Sequence, residues 1–357
     1  MLSADLRHLV AAAARDAGYP GHERNVGLRD GGVPGCYSCS LPFRLVPAPA
    51  EVAARMAAHL RRTPWIEDAK LTGPGYLTIT VTPEKLTEVA VRVSEAGSAC
   101  ARSDVLAGTS RSAPPVASLT SAWSWAEARD LITAQVTARL AGAAGANVAV
   151  PDSAERTSVA RDPGEGASPL PEAVAFAGAD AITYALARIP PEHPAALDPA
   201  ACARHVPANP AYAVRYAHSC AASTLRWAAA LDLSRGEAAV VRPGSLAHPR
   251  ERALLAALSW LPERVARAAR RGRPHEFAAF LEEVAETYQV CRVACPAWPE
   301  RGHDGARPDG TRNDGTQHGG LPGDARTVRA RLWLAGAAAA GLAAGLELLG
   351  VGAPSRL

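Results

Sequence analysis

Three groups of side chains have the type and spacing to do chemistry. The first lies in residues 209–231, NPAYAVRYAHSCAASTLRWAAAL. At helical spacing Tyr212, Tyr216, Ser223 and Trp227 share one stripe, and Arg215, His218 and Arg226 share another. Such stripes suit a helix that packs in a bundle and shows a cationic face, and on the pattern alone a bundle helix with a solvated edge is the expected reading. The second group is Arg264, Arg267 and Arg271, spaced i, i+3, i+7 as a basic ridge in the last turns of a helix. The third is Cys36-x-x-Cys39 and Cys291-x-x-x-Cys295, with His303 nearby. It reads as half of a zinc or redox site or as small buried residues, and the irregular spacing favours the latter.

No catalytic constellation accompanies these groups. The chain contains neither Gly-x-Ser-x-Gly nor His-Glu-x-x-His. Its only lysines are Lys70 and Lys85, neither after a glycine, which excludes a P-loop. The expectation is no catalytic residue, no cofactor and no metal.

The elements that must position the three groups follow from periodicity. Asn209 is a good N-cap, and Pro210 is tolerated at the first helical position because its missing N–H would be unpaired there. Val214, Ala217, Ala221 and Leu225 give that helix its apolar stripe. Residues 250–271 read as one amphipathic helix with Leu254, Leu255, Leu258, Leu261 and Val265 buried, and a further helix runs from Pro274 through Phe277, Phe280, Leu281, Val284 and Tyr288. Residues 297–324 are too polar to pack and read as a flexible insertion. Nearer the N-terminus, helices at 6–17 and 50–62 precede two extended runs, 65–71 and 76–81, broken at Gly73-Pro74-Gly75, and Pro83 starts a third helix. Taken alone, Tyr76 on a strand after a turn is a core or edge residue. Residues 95–174 read as a linker carrying one helix at 119–140, and 172–187 is helical. The expected fold class is α+β. A small N-terminal α/β layer domain (1–94) is joined by a partly helical, partly flexible segment (95–174) to an all-α bundle (175–357).

Composition sets outer bounds. A net charge of +3 and a pI near 8.5 permit nucleic-acid binding without requiring it. Heavy use of Ala and Arg suggests a GC-rich bacterial genome. Seven cysteines, an odd number, with no export signal at Met1-Leu2-Ser3-Ala4-Asp5 favour a reducing cytoplasm. Residues 332–351 have the length of a membrane span and contain Gly341-x-x-x-Gly345, but Ala and Gly gain little from lipid, so a buried bundle helix with no membrane is the expectation.

Asn209-Pro-Ala-Tyr-Ala-Val-Arg-Tyr-Ala-His218 resembles the start of the anticodon-binding bundle of arginyl-tRNA synthetases, which typically reads Asn-Pro-x-Tyr-x-Val-x-Tyr-Ala-His. Gly178-Ala-Asp-Ala-Ile-Thr-Tyr184 with Leu197-Asp198 resembles the family's exit from its catalytic core. Leu346-Glu-Leu-Leu-Gly-Val-Gly-Ala-Pro-Ser-Arg-Leu357 resembles its closing Leu-Asp-Leu-Leu-Gly-Val-x-Ala-Pro-Glu-Arg-Met. At the other end, Gly73-Pro74-Gly75-Tyr76-Leu77-Thr78 stands where the family's N-terminal additional domain has Gly-Pro-Gly-Phe-Ile-Asn. Gly35-Cys36-Tyr37-Ser38-Cys39-Ser40 stands where it has Gly-Asp-Tyr-x-x-Asn. The resemblance covers about 6–86 and 175–357.

It implies tRNA, specifically tRNA-Arg, as partner, with Tyr76 and Thr78 at the tRNA elbow and Tyr212, Tyr216, His218 and Leu357 at the anticodon. Arg215, Arg226, Arg264, Arg267 and Arg271 are further candidates for the backbone. Thr78 replaces the family's Asn and loses an amide that reads a base edge. The family's activity needs a Rossmann-type core, a His-x-Gly-His motif and a loop lysine. No histidine here sits in such a motif, and both lysines fall in the N-terminal part. The expectation is a non-catalytic relative that presents or sequesters tRNA, with a catalytic enzyme as a further partner. The alternatives are a protein-interaction module that pairs with a synthetase or biosynthetic enzyme, and a chain that completes an active site supplied in trans. The family's name, arginine–tRNA ligase, goes with an ATP and arginine site that this sequence lacks.

Overall fold

The computed structural model describes residues 2–21, 26–46, 49–114, 117–149, 168–242, 244–297 and 324–357. Most of the expected insertion, and His303, lie outside them. Helix α1 (Leu2–Asp16) leads into strands β1 (Leu28–Asp30) and β2 (Cys36–Cys39), a short helix α2 (Pro42–Leu45) and helix α3 (Pro49–Leu60). Strands β3 (Ile66–Thr72) and β4 (Tyr76–Val81) and helix α4 (Pro83–Ala96) follow. The four strands form an antiparallel sheet in the order β1-β2-β4-β3, with Tyr37 opposite Ile79 and Thr72 opposite Tyr76. Along β4, Leu77, Ile79 and Val81 alternate into the core, as the period of two predicts.

Residues 95–114 are not a free linker. A 3-10 turn at Gly97–Ala101 buries Cys100 and Ala101, and strand β5 (Ser110–Ser112) pairs in parallel with β6 (Asn147–Ala149). Between them, the single helix expected at 119–140 is a 3-10 turn (Leu119–Ser121) and helix α5 (Trp125–Ala143). Ser124 starts α5 by accepting the Glu127 N–H at 3.2 Å, which leaves Trp123 outside the helix and exposed.

The helical part comprises α6 (Leu170–Ala177), α7 (Ala179–Arg188), α8 (Pro199–Cys202), α9 (Pro210–Ala230), α10 (Pro249–Ser259), α11 (Leu261–Arg271), α12 (Pro274–Ala294) and α13 (Asp324–Leu349). Two continuous helices expected from periodicity are broken. Gly178 at φ 86° separates α6 from α7, and Pro262, which lacks an N–H for the preceding turn, ends α10 at Trp260. The apolar stripe survives the second break, since Leu254, Leu255, Leu258, Leu261 and Val265 are all buried.

Helix α13 is long and apolar enough to cross a membrane by composition, yet 72% of that stretch is buried within the fold. Its glycines explain themselves by contact. A Cβ on Gly341 would lie 2.9 Å from Leu258 Cδ2, and one on Gly345 would collide with Leu281. The small residues let α10 and α12 approach the α13 backbone.

The sheet and the bundle share one continuous core. Tyr37 is fully buried, its ring 5.1 Å from that of Trp260 and its hydroxyl 3.0 Å from Ser259 Oγ. Buried Arg7 of α1 forms an ion pair with Glu263 of α11.

Candidate nucleic-acid interface

The start of α9 is built around Asn209. Its side-chain carbonyl accepts the Ala211 N–H at 3.2 Å, and its amide donates to the Cys202 and Arg204 carbonyls, each at 2.8 Å. The N-cap therefore also fixes the preceding loop. That loop carries His205, whose ring stacks on Tyr212 with centroids 5.3 Å apart and planes 13° from parallel. One turn on, Tyr216 stacks on Tyr212 at 5.5 Å and 12°. The three rings form a ladder with Tyr212 in the middle. Its faces are taken by its neighbours, so the open faces belong to His205 and Tyr216. Tyr216 is 39% exposed, and a hydrogen bond with Cys220 raises its phenol above the usual range and keeps it neutral. Sequence reasoning missed His205, because it precedes the helix and belongs to no periodic stripe.

The second stripe of α9 is not the free cationic face that its spacing suggests. Arg215 pairs with Asp180 at 3.3 Å. His218 is buried, and its Nδ1 lies 3.0 Å from the Pro354 carbonyl, which also accepts from Ser219 Oγ at 2.7 Å. Arg226 donates to the Ser355 carbonyl at 2.6 Å. The stripe seats residues 354–355, and Leu357 beyond them is exposed. Carbonyls of a tail with no regular hydrogen-bonding partners need donors, and this stripe supplies them. Burial lowers the pKa of His218.

The ridge on α11 is also partly committed. Arg267 and Arg271 share the Glu276 carboxylate at 3.5 and 2.9 Å, and Arg264 lies over the Phe280 ring at 5.4 Å. In the sheet, the Tyr76 ring rests against Phe43 at 4.8 Å and stays 40% exposed. Gly75 must be glycine there, since φ is 152° and a Cβ would strike Pro49. The Thr78 hydroxyl is bonded to that of Thr72 at 2.8 Å. The structure thus brings together Tyr212 and Tyr216, whereas no described contact joins them to Arg264, Arg267 and Arg271 or to Tyr76 and Thr78.

The cysteines alternate across β2, so Cys36 and Cys39 face opposite sides of the sheet. Burial pushes the Cys39 thiol up to about 11 and the Cys291 thiol up to about 12. Among the described residues no three His, Cys, Asp or Glu side chains cluster as metal ligands would.

The helical part, with the ring ladder at the start of its helix α9, is where the similarity to known proteins falls. Residues 214–304 match the DALR anticodon binding domain. The chain is 36% identical to the arginine–tRNA ligase of Paenarthrobacter aurescens over 188 residues, 53% of this chain and 30% of that protein. It is 38% identical to that of Micrococcus luteus over 189 residues, 53% and 31%. The fold is similar to that of Thermus thermophilus arginyl-tRNA synthetase, with a TM-score of 0.64 at 15% identity and coverage of 100% of both chains. The chain therefore carries a DALR anticodon-binding domain and is homologous to arginyl-tRNA synthetases over about half its length. The matched region spans about a third of the length of those curated relatives.

Proposed function

We propose that the protein binds tRNA, with tRNA-Arg as the first candidate, and presents or sequesters it in the cytoplasm without activating an amino acid. The observation that carries this reading is the ring ladder His205–Tyr212–Tyr216 at the start of α9, with two outer faces open to unstacked bases. The anticodon-binding match over 214–304 supports it. The absence of His-x-Gly-His and of a lysine after Lys85 supports the non-catalytic part.

Fluorescence anisotropy with labelled tRNA-Arg tests the reading. Stacking is worth about 1–3 kcal/mol per base, so Tyr216→Leu and His205→Ala should each weaken binding by about tenfold. Tyr212→Leu should instead lower the melting temperature, because Tyr212 is the inner rung. Unchanged affinity in both outer-ring variants would reject this surface. Arginine-dependent ATP–pyrophosphate exchange above a no-enzyme control would overturn the non-catalytic part of this reading.

A second reading, a bundle that pairs with a protein such as a catalytic enzyme, is favoured by Trp227 and Val293, which are 60% and 76% exposed. Salt separates the two. Phosphate contacts weaken steeply as salt rises, whereas an apolar interface hardly responds.

A further inference from the structure

The packing of the sheet against α11 creates a cleft of about 520 Å3, within the range of about 300–1,000 Å3 typical of small-molecule sites. Six arginines line it: Arg7, Arg29, Arg264, Arg267, Arg270 and Arg271. Among the described residues two carboxylates line it with them, Asp30 and Glu263, and Asp104 also reaches Arg7, at 3.9 Å. Glu263 pairs with Arg7, and Asp30 accepts the Gly32 N–H at 2.9 Å. Glu276, just outside, takes Arg267 and Arg271 together. Three guanidiniums remain. Arg29 of β1 and Arg270 of α11 are exposed and have no carboxylate partner among the described residues, and the buried Nε of Arg264 has no hydrogen-bond acceptor.

So many like charges around one concavity repel one another unless an anion joins them. The concave shape and the apolar floor of Val26, Leu28 and Trp260 concentrate their field. Guanidiniums bind phosphate oxygens in bidentate fashion, which selects phosphoryl oxyanions over halides. The two unpaired arginines come from different elements, Arg29 from the sheet and Arg270 from the bundle. No single element could make this site.

We propose that this cleft is a phosphate-binding site formed jointly by β1 and α11, and that its ligand is a polyphosphate or a run of RNA phosphodiesters. It shares no residue with the ring ladder, so the two surfaces stand or fall separately.

The test is calorimetric titration of inorganic tripolyphosphate into the full chain at low salt, with chloride at matched ionic strength as control. Saturable binding of one tripolyphosphate per chain is expected, and the Arg29→Gln/Arg270→Gln double variant should bind at least tenfold more weakly at an unchanged melting temperature. Both side chains are exposed and unpaired, so their replacement should not disturb the fold. The absence of saturable binding to the wild type, or equal affinity in the double variant, would overturn the proposal. A competition arm identifies the source. If tRNA displaces tripolyphosphate and the double variant also loses tRNA affinity and salt dependence, the cleft holds RNA backbone. If the two bind together, it holds a free polyphosphate. Absence of tripolyphosphate binding to the wild type, with the Tyr216→Leu effect on tRNA intact, would retire the cleft and leave the ladder standing.

Discussion

At the scale of single residues, one side chain does different work from what its spacing suggests. His218 has the position of a base-reading donor, yet its Nδ1 holds the Pro354 carbonyl and its ring is buried. Because a carbonyl only accepts, Nδ1 must carry the hydrogen. Burial lowers the pKa in the folded state below the ordinary value of about 6.5. The unfolded chain then takes up a proton more readily than the folded one. The stability contributed by the neutral ring is present above about pH 6.5 and is lost as pH falls through the depressed folded value. His218→Asn places an N–H near the Nδ1 position and removes the titration. Its melting temperature should fall less between pH 7 and pH 5 than that of the wild type, while tail seating is kept. Parallel pH profiles for the two proteins would assign the dependence elsewhere, with His275, also lowered by burial, the next group to change.

At the scale of elements, the ends of α10 and α13 meet at one buried charge. Glu251 is 1% exposed and closes the α10 capping box by accepting the His248 N–H at 3.0 Å, while its other oxygen accepts from Arg331 Nε at 2.7 Å. Arg331 also donates to the Pro296 carbonyl at 2.9 Å. Removing one partner of a buried pair leaves the other uncompensated, so Arg331→Met should cost about 3–5 kcal/mol, read by urea denaturation. Glu251→Gln in the same background should recover part of that loss, because an amide needs no counter-charge. A loss under about 1 kcal/mol would mean that water reaches Glu251 once Arg331 is gone.

Neither partner was legible in the sequence, since they lie 80 positions apart with no shared periodicity. What was legible is the local pattern: β4 from alternation, α9 from its cap and proline, α4 from Pro83, and the apolar stripes of α9 and α12. The helix breaks at Gly178 and Trp260 were hidden because the apolar spacing runs through both. Tyr212 and Tyr216 were found because they share a helical stripe. His205 was not, because a loop held by Asn209 brings it there. The basic stripe of α9 misled because His218 and Arg226 hold the carbonyls of a distant tail and Arg215 pairs with Asp180, partners that local spacing does not encode.

At the scale of the whole molecule, the N-terminal sheet and the bundle should behave as one unit rather than as two domains on a flexible joint. Chains beyond about 150 residues commonly unfold in stages, so the opposite outcome is the default. Here Ser259 Oγ donates to the Ala256 carbonyl at 2.7 Å, which leaves the buried Tyr37 hydroxyl as donor into Ser259 at 3.0 Å. With the Trp260 ring contact and the Arg7–Glu263 pair, the sheet cannot separate without exposing an aromatic face and breaking an ion pair. Tyr37→Phe removes one net hydrogen bond and leaves Ser259 satisfied by Ala256, so it should cost about 0.5–1.5 kcal/mol. Native-state hydrogen exchange reads that cost in both halves. The slowest amides of β4 and of α9 should open with the same free energy in the wild type and fall together in Tyr37→Phe. If β4 opens well below α9, and Tyr37→Phe lowers β4 alone, the sheet is an independent unit held at the bundle surface. The arginine cleft between them would then be a hinge rather than a fixed site.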